Sequence, residues 1–185
     1  MDISETDLPG VLVLIPRRFG DARGWFCETW NARTLAERGI HTPFVQDNES
    51  CSAEAGTLRG LHYQAPPHAQ AKLVRCLVGR ILDVAVDARL GSPTFGRWTA
   101  RELTAEGGEQ MLVPAGCLHG FVTRTPGAQV AYKCSDYYAP DADGAVRWDS
   151  VGIDWGLDGA PILSAKDAAA PPFAAWTSPF EWSET

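Results

Sequence analysis

The segment KLVRCLVGRILDVAVD, residues 72–87, decides the fold of this chain. Two runs rich in β-branched and aliphatic residues flank Gly79-Arg80, which predicts two strands joined by a two-residue hairpin turn. That turn would pair Cys76 with Asp83. Because side chains alternate between the two sides of a strand, the segment has two distinct faces. One face holds Lys72, Val74, Cys76, Asp83, Ala85 and Asp87, and the other holds Leu73, Arg75, Leu77, Leu82, Val84 and Val86. We expect the wall of a β-barrel, with charged groups lining the lumen and the aliphatic face packed on a second sheet.

Short strand-like runs continue on both sides of this segment, separated by Gly, Pro and Asp. They are VLVLI (11–15), FVQDN (44–48), TLRGLHYQ (57–64), GRWTARELT (96–104), QMLVPAG (110–116), GFVTR (120–124) and QVAYKCSDYY (129–138). Many short strands at even spacing are typical of an all-β barrel or sandwich. The best helix candidate is residues 31–39, with Asn31 as its N-cap and Gly39 as its stop, so helix is a minor component.

The size of the chain, 185 residues, fits a single domain spanning residues 1–185 with a substantial core. The Ala- and Pro-rich end, about 171–185, is expected to form a tail whose aromatic residues lie against the barrel or a partner subunit. The net charge of −7 and the pI near 5.0 argue against general nucleic-acid or anionic-membrane binding, which needs a basic face. A small anionic substrate would need only a few local Arg and Lys side chains.

The five cysteines are odd in number, widely spaced and free of any CxxC pair, which favours reduced thiols in a cytosolic protein. The opening MDISETDLPG is acidic and has no apolar stretch of the kind found in export signals. No later apolar run approaches the length of a membrane span. We therefore expect a cytoplasmic protein that is not bound to a membrane.

Two segments carry the pattern most informative about a site, GTLRGLHYQ at 56–64 and MLVPAGCLH at 111–119. They resemble the signature strands of the cupin superfamily, which implies a cupin-type double-stranded β-helix, or jelly-roll barrel, with a few short helices. Metal-binding cupins have His-x-His and a Glu in the first motif. Here Gln64 replaces the second His and no Glu follows nearby, so His62 and His119 fall short of the three or four ligands of a tight transition-metal site. We expect no catalytic metal.

Eight blocks in order carry a closer resemblance. They are FGDARGWFCETW (19–30), FVQDNES (44–50), GTLRGLHYQ (56–64), QAKLVRCLVGRILDVAVDAR (70–89), GSPTFGRW (91–98), VPAGCLHGF (113–121), YKCSDYYAP (132–140) and ILSAKD (162–167). Together they resemble the dTDP-4-dehydrorhamnose 3,5-epimerase family from about Gly10 to Pro171. The chain departs from the family pattern at Ala71, often Gly, and at Cys117-Leu118, often Phe-Ala. Neither change removes a reacting group.

The chemistry of an epimerase explains why these residue types occur together. A proton on a carbon beside a ketone is a far weaker acid than an imidazolium, and each pKa unit of mismatch costs about 1.36 kcal/mol. The enolate oxygen therefore needs a preorganised cation, for which Lys72 on the predicted lumen face is the candidate. Inversion also needs a base and an acid on opposite faces of the sugar. An imidazole suits abstraction and a phenol suits donation, and the resemblance assigns these roles to His62 and Tyr132.

The resemblance implies further site residues. Asp167 would hold His62 in a fixed tautomer, and Asp83 on the predicted lumen face is an alternative carboxylate for that task. Tyr138 would stack on the thymine of the substrate. The forked guanidinium groups of Arg23 and Arg59 suit phosphate oxygens. The full set of implied substrate contacts is Arg23, Glu28, Gln46, Asn48, Arg59, Lys72, His119, Tyr138, Asp143 and Lys166.

The reaction implied by the resemblance converts dTDP-4-dehydro-6-deoxy-D-glucose to dTDP-4-dehydro-L-rhamnose, without a cofactor, in a homodimer with strands exchanged between subunits. Three alternatives stay open. A relative could invert only one of the two carbons of a related deoxysugar nucleotide, and deuterium counting would identify it. A metal-dependent cupin oxygenase would contain a stoichiometric transition metal at His62 and His119. A non-catalytic sugar-binding cupin has no need of Lys72 and Tyr132 beside His62.

Overall fold

The structure, a computed structural model, describes residues 1–183. Within that range it contains fifteen strands and two short α-helices, which confirms the all-β prediction. The strands are β1 (Asp2–Glu5), β2 (Leu12–Ile15), β3 (Arg18–Asp21), β4 (Gly24–Cys27), β5 (Gln46–Ser52), β6 (Leu58–Gln64), β7 (Lys72–Val78), β8 (Arg80–Asp87), β9 (Arg89–Leu90), β10 (Trp98–Thr104), β11 (Gln110–Val113), β12 (Cys117–Thr123), β13 (Ala128–Cys134), β14 (Asp143–Ala145) and β15 (Phe180–Glu181). The helices are α1 (Ala32–Ala36) and α2 (Ala165–Ala168), with 3₁₀ turns at Pro140–Ala142 and Phe173–Ala175.

Two antiparallel sheets form the barrel. The six-stranded sheet has the order β1-β2-β11-β7-β13-β5, and the five-stranded sheet has the order β10-β8-β12-β6-β14. The chain passes from one sheet to the other between β6, β7 and β8 and again between β11, β12 and β13. This arrangement is the jelly roll expected of a cupin-type fold. Outside these sheets, β3 and β4 form a separate hairpin, and β15 pairs with β9.

The predicted hairpin at Gly79-Arg80 is wrong. Strand β7 pairs with β11 and β13, whereas β8 pairs with β10 and β12, so Cys76 does not pair with Asp83. Gly79 turns the chain from one sheet into the other, and a Cβ at this position would lie 2.1 Å from Thr125 Oγ1. The same Thr125 Oγ1 accepts a hydrogen bond from Arg80 N at 3.1 Å. The corner is therefore stabilised by the loop after β12 rather than by cross-strand pairing.

The two faces predicted for residues 72–87 are confirmed, because alternation within a strand does not depend on its neighbour. The inner side chains, Val74, Cys76, Ile81 and Ala85, belong to one buried cluster between the sheets. The expectation that the aliphatic face packs on a second sheet is wrong, because the second sheet covers the inner face. On the outer side, Leu73 packs with α1 and with neighbouring strands of its own sheet, through Leu35, Leu14 and Leu112. The outer residues of β8, Val84 and Val86, pack against Trp155 and Phe180, which belong to the part of the chain that follows β14.

The helices are short and have clear caps. Asn31 is the N-cap of α1, as predicted, and its Oδ1 accepts hydrogen bonds from Arg33 N at 3.1 Å and Thr34 N at 3.3 Å. The helix ends at Ala36 and a turn closes at Gly39, whose N donates to Ala36 O at 3.0 Å. Among the helices of residues 1–183, none has the length and apolar character needed to cross a membrane.

The C-terminal segment packs on the outside of the five-stranded sheet. Phe180 is buried, and Trp176 Nε1 donates to the Tyr63 hydroxyl at 2.9 Å. The aromatic residues of this segment therefore lie against the barrel, one of the two placements expected from the sequence. The last two residues of the predicted tail, 184 and 185, lie outside the described residues.

Candidate active site

A cavity of about 410 Å³ lies between the two sheets. His62 lines it from β6 of the five-stranded sheet, and Tyr132 lines it from β13 of the six-stranded sheet. Lys72 enters from β7 and Asp167 from α2. The structure therefore brings together the four residues that the sequence associated with the chemistry, with the imidazole and the phenol on different walls.

The imidazole of His62 is held by a buried carboxylate. His62 Nε2 and Asp167 Oδ1 are 2.5 Å apart, and Asp167 is only 2% exposed. Burial alone would raise the pKa of Asp167, but the hydrogen bond from His62 keeps that pKa below its ordinary value. An ionised carboxylate only accepts hydrogen bonds, so the proton belongs on Nε2 and the lone pair on Nδ1. His62 can therefore accept a proton at Nδ1.

The short helix α2 sets the position of Asp167. Ser164 is the N-cap, and its Oγ accepts a hydrogen bond from Asp167 N at 3.1 Å. Ser164 also lines the cavity, although it is not among the site residues predicted from the sequence. The spacing Ser-x-x-Asp in SAKD is a helix-start pattern and could have identified it.

Asp83, the alternative partner for His62, contacts His119 instead. Asp83 Oδ1 lies 2.7 Å from His119 Nε2, while Oδ2 has no hydrogen-bond partner among residues 1–183. The reason is the strand order, because β12 lies between β8, which carries Asp83, and β6, which carries His62. Asp83 is fully buried, and burial raises its pKa although the charges of His119 and Lys72 oppose the rise. The site thus contains two separate imidazole–carboxylate pairs.

Close approach of β6 and β12 places the two histidines side by side. His119 is directly opposite His62 in the register of these strands. Gly60 has φ +132°, and a Cβ there would lie 2.6 Å from Gly120 Cα and 2.9 Å from the His119 carbonyl oxygen. No other residue type fits such an approach without displacing backbone. The glycines of LRGLHYQ and HGF therefore serve the geometry of the site.

Lys72 and Tyr132 line the opposite side of the cavity. Lys72 Nζ lies 5.9 Å from the centroid of the Tyr132 ring. Burial lowers the pKa of Lys72, while nearby negative charges including Asp143 and Asp83 oppose the fall. Burial raises the pKa of Tyr132, so its phenol keeps its proton at neutral pH. The amine of Lys72 and the phenol of Tyr132 thus share one wall.

A hydrogen-bonded group of side chains adjoins the cavity. Asp143 Oδ2 accepts hydrogen bonds from Lys166 Nζ at 2.5 Å and from the Tyr138 hydroxyl at 3.4 Å. Gln46 Oε1 accepts from Tyr138 N at 3.0 Å, and Gln46 Nε2 donates to Asn48 Oδ1 at 3.0 Å. Tyr138 is 60% exposed, so the face of its ring is accessible to a planar ligand. Five residues implied by the resemblance therefore form one connected group.

Arg59 lines the cavity directly from β6. Its Nη2 donates to Cys51 O and its Nε to Ser52 Oγ, each at 3.2 Å. Other lining residues were not selected from the sequence: Ser50, Thr57, Leu58, Phe121, Ile162 and Leu163. Phe121 could have been found by alternation, because it follows His119 by two positions in HGF.

Arg23 and Glu28 are not among the residues that line this cavity in the single chain. Arg23 lies in the β3–β4 turn, with its side chain 89% exposed and paired with Asp21 at 2.5 Å. Glu28 follows β4, and its Oε2 accepts a hydrogen bond from Asn31 Nδ2 at 3.1 Å. The hairpin also exposes Phe19, Trp25 and Phe26. These two predicted contacts are therefore displaced from the rest of the site.

The side chains suited to metal binding are spread out in the described part of the chain. Residues 1–183 contain no group of three or more His, Cys, Asp or Glu side chains placed to hold a metal ion. Gln64, at the position of a cupin ligand, has its amide committed to backbone groups.

A jelly-roll barrel with a carboxylate-held imidazole, a phenol and an ammonium around one cavity defines a class of protein, an isomerase of the epimerase type. The family model described as dTDP-4-dehydrorhamnose 3,5-epimerase matches residues 5–175. The chain belongs to the dTDP-4-dehydrorhamnose 3,5-epimerase family.

Similar proteins cover nearly the whole chain. The dTDP-4-dehydrorhamnose 3,5-epimerase of Salmonella typhimurium is 48% identical over 92% of this chain and 94% of its own length. The crystal structure of dTDP-6-deoxy-D-glucose-3,5-epimerase from Legionella pneumophila, in complex with dTDP-4-keto-L-rhamnose, matches with a TM-score of 0.94 at 40% identity. That match covers 100% of this chain and 99% of the Legionella chain. A 3'-monoepimerase from Streptomyces bikiniensis, in complex with dTDP-quinovose, is 36% identical with a TM-score of 0.86, and covers 91% and 86% of the two chains.

Proposed function

We propose that this chain inverts C3 and C5 of dTDP-4-dehydro-6-deoxy-D-glucose and yields dTDP-4-dehydro-L-rhamnose, a step of deoxysugar biosynthesis in the cytoplasm. The observation that carries the proposal is the placement of His62 and Tyr132, which line one cavity from different sheets with Lys72 beside them. Family membership and the ligand of the Legionella relative support the substrate.

In the first step, His62 Nδ1 removes the proton from the carbon next to the C4 ketone. Asp167 holds the ring in the required tautomer and stabilises the imidazolium that forms. The electron pair of the broken C–H bond moves to the ketone oxygen, which becomes an enolate oxygen. Lys72 provides the positive charge for that oxygen in a partly buried site, where a charge acts more strongly than in water.

In the second step, Tyr132 delivers a proton to the same carbon from the other side. Its raised pKa keeps the phenol protonated until it donates. Removal on one face and delivery on the other inverts the carbon. After an inversion, the His62 imidazolium returns its proton to solvent and the Tyr132 phenolate regains one from solvent, which resets both groups. C3 and C5 both flank the C4 ketone, so one base, one acid and one cation can then serve both carbons in turn, and the ketone supplies the acidity that the reaction needs.

The nucleotide is bound beside the cavity in this proposal. The exposed ring of Tyr138 stacks on the thymine, and Arg59 and Lys166 attract the diphosphate. His119, with its Nε2 tied to Asp83, offers Nδ1 to a sugar hydroxyl. A few local cations thus bind an anionic substrate on a chain of net charge −7.

Turnover in deuterated water tests the proposed function. We expect the product of dTDP-4-dehydro-6-deoxy-D-glucose to carry deuterium at C3 and at C5, because each carbon loses a proton to His62 and gains one from a solvent-exchanged Tyr132. NMR of the product counts both positions. Deuterium at one carbon only would contradict the double inversion and would identify a single-carbon epimerase instead. Binding without any exchange would identify a sugar-binding cupin.

The distance of Arg23 and Glu28 from the cavity supports a homodimer. An exposed hairpin bearing Phe19, Trp25 and Phe26 is an apolar surface suited to burial against a second subunit. In this proposal the hairpin of one subunit completes the cavity of the other, and Arg23 contacts the substrate there. Each site then contains residues of both chains.

Complementation between two inactive variants tests the exchange of the hairpin. We expect His62→Ala and Arg23→Ala homodimers each to have low activity. Mixed and reassembled, they should recover about a quarter of wild-type activity, because half of the dimers are hybrids with one intact site of two. A steady-state assay after denaturation and refolding of the mixture measures the recovery. Absence of recovery, with hybrids shown by mass spectrometry, would place Arg23 in the cavity of its own chain.

A further inference from the structure

Gln64 ends strand β6, two residues after His62, and its side chain is only 5% exposed. Its amide forms three hydrogen bonds, all to backbone. Nε2 donates to His68 O at 2.8 Å and to Tyr137 O at 3.2 Å, and Oε1 accepts from Ala139 N at 2.9 Å. Both N–H groups of the amide are used, so Gln64 offers no donor to a ligand.

Two of the three backbone groups that Gln64 holds, Tyr137 O and Ala139 N, lie on either side of Tyr138. Two other glutamines hold the neighbouring groups of the same segment: Gln46 Oε1 accepts from Tyr138 N at 3.0 Å, and Gln70 Nε2 donates to Asp136 O at 2.8 Å. Each of the four consecutive residues 136–139 thus has one backbone group that is hydrogen-bonded to a glutamine side chain.

The segment has little packing of its own. Tyr137 and Tyr138 are 65% and 60% exposed, so apolar burial contributes little to their position. The direction of the Tyr138 ring therefore depends on hydrogen bonds: the long one from its hydroxyl to Asp143 at 3.4 Å, and those of the backbone that carries it. Gln64 supplies two of these bonds within the segment, to Tyr137 O and Ala139 N, and anchors them to the strand that bears His62.

We propose that Gln64 is a positioning residue for nucleotide binding, which acts by holding the Tyr138 ring where it stacks on the base. This inference rests on the proposed contact of Tyr138 with the thymine. Gln64 and His62 are two positions apart on one strand, yet the first serves affinity for the nucleotide and the second serves proton transfer. A residue that stands at a metal-ligand position of other cupins has in this chain become an anchor for the base-binding segment.

The test uses Gln64→Glu, which keeps the shape and the acceptor for Ala139 N but replaces both donors with an oxygen facing two carbonyl oxygens. We expect the Kd for dTDP alone and the KM for the sugar nucleotide to rise about tenfold, because two hydrogen bonds are lost. We expect kcat to stay within about twofold of wild type, because His62, Lys72 and Tyr132 are untouched. Titration calorimetry with dTDP and steady-state kinetics give the two readouts.

A double-mutant cycle with Tyr138→Ala shows whether Gln64 acts through that ring. In the Tyr138→Ala background, we expect Gln64→Glu to change dTDP affinity less than about twofold. Gln129→Glu, the same chemical change at the far end of β13, is the matched control and should leave dTDP affinity unchanged. If Gln64→Glu does not fold, as judged by near-ultraviolet circular dichroism, Gln64→Met replaces it in every measurement.

The outcomes separate the inference from the proposed function. If Tyr138→Ala weakens dTDP binding and Gln64→Glu does not, the positioning role is overturned and the base contact stands. A fall in kcat as large as the rise in KM would overturn it as well, since Gln64 would then serve the chemistry. If Tyr138→Ala leaves dTDP affinity unchanged, both the base contact and the inference fail.

Discussion

Replacement of His62 by alanine is expected to lower kcat by about three orders of magnitude and to abolish solvent exchange at both C3 and C5. The reason is that Asp167, whose pKa is lowered, holds His62 in the tautomer that leaves Nδ1 free to accept a proton. His119 has its own partner, Asp83, but burial raises the pKa of that carboxyl and weakens its support. Deuterium incorporation measured by NMR, with kcat from steady-state kinetics, gives the comparison.

Asp167→Asn is the companion variant, which keeps the imidazole and changes only its hydrogen-bond partner. An asparagine can donate to Nε2 and so move the imidazole proton to Nδ1, the nitrogen that must accept. We expect kcat to fall about a hundredfold, less than for His62→Ala, since the imidazole is still present. If His62→Ala kept exchange at one carbon near the wild-type rate, a second base would be required and the assignment of both inversions to His62 would be wrong.

Replacement of Tyr132 by phenylalanine is expected to separate exchange from inversion. His62 and Lys72 remain, so the substrate still loses protons, but the proton returns from the His62 side and the starting configuration is restored. We expect inverted product to form about a thousandfold more slowly, while deuterium enters the unreacted substrate. Product configuration by NMR coupling constants and deuterium content by mass spectrometry measure the two effects.

Tyr63→Phe is the matched control for Tyr132→Phe. Tyr63 lies on β6 next to His62 but belongs to the outer cluster, where its hydroxyl accepts a hydrogen bond from Trp176 Nε1. Loss of that hydrogen bond should lower the free energy of unfolding by about 1 kcal/mol and leave the inversion of the sugar carbons unchanged. Inverted product formed by Tyr132→Phe at the wild-type rate would exclude the phenol as the proton donor.

The fold could be predicted from the sequence where the information is local. Strand β7 begins and ends where the run KLVRCLV does, and alternation placed Val74 and Cys76 inside and Leu73 outside. The pairing of the strands could not be predicted in this way, because it depends on residues that are distant in the chain. A hairpin and a corner between sheets have the same alternation, and the contact of Gly79 with Thr125, which distinguishes them, joins residues that are distant in the chain.

The site could likewise be predicted only in part, because some of its contacts join residues that are distant in the chain. The family resemblance predicted seven of the residues that line the cavity: His62, Tyr132, Lys72, Asp167, Arg59, His119 and Lys166. It also predicted that Asp167 holds His62, which no spacing rule could give, because 105 positions of the chain separate the two residues. The sequence marked Gln64 only as a missing metal ligand. Its partners are backbone groups of residues 68, 137 and 139, and a backbone group has no residue type by which a sequence pattern could identify it.

The arrangement of His62 and Tyr132 around the sugar is tested most directly by a crystal structure with dTDP-D-glucose, a nucleotide sugar that lacks the C4 ketone and stays unreacted. We predict the hexose between the two rings, with His62 Nδ1 on one face, the Tyr132 hydroxyl on the other, and Lys72 Nζ within about 3.5 Å of the oxygen on C4. A complex with both rings on the same face of the hexose, or with Nδ1 directed away from it, would contradict the account.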